Sequence, residues 1–165
     1  MVSLIERLSY VAGVVAALLI AIAIAIVCQM VVIRYALQQS AAWQTEVVTF
    51  SLVAATLLGS PWVMKKRGHV AVELVTSYAD PGAQRIMKVL ADLVVMLFAL
   101  IMFWEGLELT MEAYEGGWTT DSIYEFSIWI PYSSMPIGFG LLALQCFACI
   151  LKTLSGQDEP HSGGH

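Results

Sequence analysis

The chain has 165 residues, 59% of them hydrophobic and only 13% charged, with a formal net charge of −5 and a mean hydropathy of +0.76. Globular domains are about half apolar and about a quarter charged, so this composition describes one domain solvated by lipid. The acidic balance excludes nucleic acid as a partner, because phosphate recognition needs clustered Lys and Arg.

The first apolar run, Val11 to Ile33, carries no charge and a single amide at Gln29. As a helix it reaches ~34 Å, enough for a hydrocarbon core of about 30 Å. A secretory leader has a shorter apolar region, so this run reads as an uncleaved anchor. The segment Arg34 to Val47 is short and mixed in polarity. It reads either as a solvated loop or as a brief helix lying in the membrane interface, and the expected fold carries such a helix.

The second run, Val47 to Met64, is rich in Ser, Thr and Gly, which let helices approach closely in lipid. Pro61 stands near its end, followed by Lys65, Lys66 and Arg67. The region from Gly68 to Arg85 reads as a connection with a turn at Ala79 to Gly82. The third run follows Lys88 and continues toward Met111; Asp92 lies one turn inside it, spaced to pair with Lys88. On its outer end Glu105, Glu108, Glu112 and Glu115 recur at spacings of three and four and share one helix face. That face reads as a water-facing stripe or as a docking surface for a basic partner. The fourth run, Phe126 to Leu151, has Pro131 and Pro136 near its start, with Trp129 and Tyr132 as interfacial anchors. Residues 155–165 form a polar tail, expected to be disordered, behind one membrane domain of residues 1–154.

Orientation follows from the eight cations. With a cytoplasmic N-terminus and four alternating spans, Arg7, Lys65, Lys66, Arg67, Arg85, Lys88 and Lys152 fall inside and only Arg34 outside. Seven against one is a strong positive-inside bias, so Lys65, Lys66 and Arg67 are read as topology-setting residues that also attract anionic phospholipid.

Motifs for catalysis are missing. The sequence holds no GxSxG, HExxH, Walker loop or GxGxxG, and this speaks against an enzyme. Cys28, Cys146 and Cys149 sit in apolar runs and read as small buried hydrophobes without the partners of a zinc set. His69 is the only histidine before the tail, too few for a di-haem anchor. Neither a metal nor a cofactor is expected in this chain.

Three blocks then resemble a known family. They are Arg34-Tyr35 with Trp43 and Glu46; Gly68-His69-Val70-Ala71-Val72-Glu73-Leu74; and Trp129-Ile130-Pro131-Tyr132 with Pro136-Ile137-Gly138. In this order, from about residue 10 to 152, the chain resembles the small, DctQ-like membrane subunit of tripartite ATP-independent periplasmic (TRAP) transporters. It departs from the family where Gln38, Gln39 and Ser40 replace a frequent Asn, and where Thr45 replaces a frequent acid.

The resemblance implies an all-α protein of four transmembrane helices with both termini cytoplasmic, in the bacterial inner membrane. It implies a scaffold for a large elevator-type subunit, paired one to one, that imports organic acid anions delivered by a periplasmic binding protein. Sodium would bind that large subunit. Arg34, Trp43, Glu46 and His69 become candidates for the subunit interface or the interfacial helix. Two other readings stand beside it: a membrane anchor for a redox enzyme, and an autonomous small transporter.

Overall fold

The computed structural model describes residues 2–38, 42–67, 81–122 and 124–155. Four helices account for nearly all of them: α1 (Val2–Ala36), α2 (Ala42–Arg67), α3 (Pro81–Glu115) and α4 (Trp129–Leu154). Each is long and apolar enough to cross a membrane. The reason is elementary, since a chain in hydrocarbon must satisfy every backbone N–H and C=O within its own helix. The block Gly68 to Leu74, including His69, lies outside the described residues, as do residues 156–165 and the junction at 39–41.

The helices outrun the apolar runs that announced them. At 35 residues α3 is ~52 Å long, well beyond the hydrocarbon core of about 30 Å. Pro81 and Gly82, expected in a turn, open α3 instead, where proline's missing N–H has no partner to lose. The fourth helix begins at Trp129 rather than Phe126, because Phe126 is held in the preceding connection.

Helix α4 is the hub. It packs against α3, α2 and α1, while α1 and α2 form a second close pair. Small residues set these approaches. A Cβ on Gly13 of α1 would lie 2.7 Å from the Trp62 ring of α2. On α3 the buried positions Asp92, Ala99, Gly106 and Ala113 are seven apart, the spacing of a seam that follows a left-handed supercoil. A Cβ on Gly106 would meet the Pro136 nitrogen of α4 at 3.2 Å.

Pro61 decides one contact in detail. Proline inside a helix leaves the carbonyl four residues earlier without its N–H partner, here that of Leu57. Ser60 Oγ donates to the Leu57 oxygen at 2.8 Å and satisfies it locally. On α4, Gly138 sits so close that a Cβ would lie 2.8 Å from the same oxygen. Only glycine admits the backbone of α4 to this carbonyl.

Asp92 differs from its expected place. It stands eleven residues after the start of α3, not one turn in, and it is fully buried among the helices.

Candidate functional site

The alternating helices sort the polar residues into two ends and one interior seam. At one end, Glu6 of α1 gathers two cations from other helices. Lys65 Nζ of α2 approaches Glu6 Oε2 at 3.3 Å, and Lys152 Nζ of α4 bonds Glu6 Oε1. Arg85 of α3 donates from Nη2 to the Leu154 carbonyl at the C-terminus of α4. A cation at a helix C-terminus meets the negative end of its dipole and an unpaired carbonyl, so this contact closes α4 favourably. Every helix is thereby tied at this end. Lys65, read from sequence as a topology-setting residue, also makes a specific inter-helix contact; Lys66 and Arg67 stand with it in the last turn of α2.

The opposite end is acidic. Glu105, Glu108, Glu112 and Glu115 are all exposed on α3. The helix then stops in a Schellman arrangement: Gly117 adopts φ 59°, Trp118 N donates to Ala113 O at 3.0 Å, and Gly117 N to Tyr114 O at 3.3 Å. The connection folds back on itself, with Thr120 N donating to Phe126 O at 2.9 Å and Ile128 N to Trp118 O at 3.0 Å. Tyr114 and Trp129 meet edge to face at 5.7 Å, joining the end of α3 to the start of α4.

Glu46 connects this loop to α2. Its Oε2 accepts a hydrogen bond from Thr120 Oγ1 at 3.3 Å, and the same hydroxyl accepts from Phe126 N at 3.1 Å. Trp43 and Glu46 are half-buried in the first turns of α2, and Arg34 is exposed in the last turn of α1. The structure therefore brings Glu46 to the α3–α4 connection, while Arg34 stands exposed at the end of α1.

Two polar residues passed over in the sequence hold the interior. Ser9 Oγ of α1 donates to Gln145 Oε1 of α4 at 2.6 Å, both residues being buried. Gln145 Nε2 reaches Cys149 Sγ at 3.7 Å. Gln145 is an amide within an uncharged 26-residue run, and its cost in hydrocarbon was the signal that it would need a partner. Gln44, next to Trp43, is also buried. Among the described residues no group of three His, Cys, Asp or Glu is arranged to hold a metal ion.

Comparison with known proteins agrees with this anatomy. Residues 23–156 match the family model described as tripartite ATP-independent periplasmic transporters, DctQ component. The chain is also 25% identical over 118 residues to the isethionate TRAP transporter permease protein DctMQ of Oleidesulfovibrio alaskensis. That match covers 72% of this chain but only 18% of the relative, so the chain spans a small part of that protein's length. No solved structure matches. Because that family model spans most of the chain, the chain belongs to the DctQ family: with four helices long and apolar enough to cross a membrane, it is a multi-pass component of a TRAP transporter, which is a transport and not an enzymatic role.

Proposed function

We propose that this subunit is a rigid scaffold for the large membrane subunit of its transporter, pairing with it one to one in the bacterial inner membrane. One observation carries the reading. The interior is closed by backbone-level contacts, with Gly138 against the Leu57 carbonyl and with Ala99 and Cys146 fully buried. Such packing holds a fixed shape and leaves the hub helix no room to slide. The large subunit then carries the moving parts, the sodium sites and the organic-anion pathway, and the DctMQ relative joins both subunit names in one permease.

The basic end faces the cytoplasm by the positive-inside rule, with both termini on that side. The acidic end of α3 then faces the periplasm, where Glu108, Glu112 and Glu115 extend past the apolar core and offer a surface to the substrate-binding protein. Arg34, Trp43 and Glu46 lie on the same side, where Glu46 fixes the α3–α4 connection for contact with a partner. The substrate is an organic acid anion such as a dicarboxylate, sialate, keto acid or sulfonate, chosen by the other components. No observation favours the redox-anchor or autonomous-transporter reading.

Purification of the tagged chain from native membranes in mild detergent tests the proposal. A much larger polytopic protein should copurify in equal amount. Recovery of the chain alone, together with uptake by it alone in liposomes, would replace the scaffold with an autonomous transporter.

A further inference from the structure

We propose that the Glu6–Lys65–Lys152 cluster is a binding site for the phosphate of an anionic phospholipid headgroup. The site goes beyond the scaffold reading and stands on its own geometry. Two ammonium groups from α2 and α4 converge on the two oxygens of a single carboxylate on α1. An ammonium has three N–H donors, and one contact to Glu6 leaves donors on each lysine. Two cations held this close around one anion repel each other, so a second anion completes an alternating arrangement of charges.

The exposure is graded the right way for this. The Lys65 and Lys152 side chains are 36% and 39% exposed, whereas Glu6 is 24% exposed, so the cations form the outer part of the cluster. Formal charge agrees among the described residues, where Arg7, Lys65, Lys66, Arg67, Arg85, Lys88 and Lys152 stand at this end of the bundle against the carboxylate of Glu6 and the buried Asp92.

Depth selects the lipid over a free phosphate. Lys65 is the last residue of the span Trp43–Lys65, Lys152 lies in the final turn of Trp129–Leu154, and Glu6 in the first turn of Leu4–Ala36. All three sit where apolar helix gives way to headgroups. Leu4 and Leu154, 65% and 58% exposed in the adjoining turns, offer apolar surface for acyl chains. Basic clusters between helices at this depth are a recurrent setting for anionic headgroups.

The full chain in mild detergent, titrated with phosphatidylglycerol or phosphatidylcholine and read by native mass spectrometry, tests the site. Phosphatidylglycerol should be retained at least tenfold more strongly than phosphatidylcholine. The double variant K65Q/K152Q should lose about 30-fold in phosphatidylglycerol affinity, as expected for two lysines at the surface. The control R7Q/K88Q removes the same charge from the same end and should lose less than about fourfold. Equal losses in the two double variants would overturn the site in favour of diffuse surface attraction. Displacement of phosphatidylglycerol by millimolar inorganic phosphate would overturn the assignment to lipid. Should K65Q/K152Q fail to fold, K65Q and K152Q are read singly, each expected to lose about fivefold; an unchanged affinity in both would refute the proposal.

Discussion

Helices α1 and α4 are both long apolar spans, yet they occupy opposite places in the bundle. The more apolar of the two is α1, and only 17% of its apolar window is buried inside the protein, against 44% for α4. In water the order would be reversed. In lipid, apolar side chains gain nothing by leaving hydrocarbon for protein, so hydrophobicity does not choose the interior. Small residues and polar groups do. The buried residues of α4 include Pro131, Ser134, Gly138, Ala143, Gln145, Cys146 and Ala148. Most are too small to fill space against lipid, or too polar to face it.

The comparison breaks most sharply at Gly138. Gly138→Val puts methyl groups into the Leu57 carbonyl, where backbone rather than side chain must yield. The expected loss is about 3 kcal/mol, the upper end for overpacking, read by thermal unfolding in detergent. Unchanged stability would mean that α4 is not held against α2 as described.

Gly13→Ala in α1 is the next test. The new methyl meets Cγ and Cβ of Trp62, a side chain anchored at that point, and the clash is partly offset by the better helix propensity of alanine. A net loss of about 1 kcal/mol is expected, and the double variant with Trp62→Ala should relieve the clash. Equal instability with and without the tryptophan would place the strain elsewhere.

Polar contact comes third. Gln145→Leu removes the acceptor for Ser9 and should cost about 0.6 kcal/mol, with a ceiling near 1.7 kcal/mol for such bonds in membranes. A cycle with Ser9→Ala should show the two changes to be non-additive; strict additivity would argue that the bond contributes nothing. The smallest effect belongs to the lipid side of α1. Ile24 is 59% exposed, and Ile24→Val should stay within about 0.5 kcal/mol of the parent. A larger loss would show that this face is not simply solvated by lipid, and it would mark the face as a subunit contact.

Much of the fold was legible because lipid imposes simple rules. Four apolar runs of sufficient length, three of them uncharged, dictated four helices, and the cations separated the two ends before any contact was known. The heptad of Asp92, Ala99, Gly106 and Ala113 was also written in the sequence, although Asp92 drew attention as an intramembrane acid near a helix start, spaced to pair with Lys88, and not through this repeat. That local reading misplaced it, because an i,i+4 pairing rule says nothing about which side of a helix faces a neighbour.

The candidate site was only half legible. Glu46 stood out beside Trp43, but its partner Thr120 is 74 positions away in a connection with no sequence motif. Likewise Ser9 and Gln145 are separated by 136 positions; Ser9 precedes the first apolar run, and Gln145 lies within an uncharged one.

The sequence by itself determined what the membrane decides: four spans, the segregation of basic from acidic ends, and the want of catalytic or metal-binding motifs. The spans and the segregated ends follow from transfer of single helices between water and lipid, which depends on the apolar runs and on where the charges fall between them. Tertiary structure decided which helix became the hub, which glycines face a carbonyl rather than a methyl, and why two lysines share Glu6. These depend on how close two backbones can come and on which polar groups then meet. No residue's neighbours along the chain carry that information.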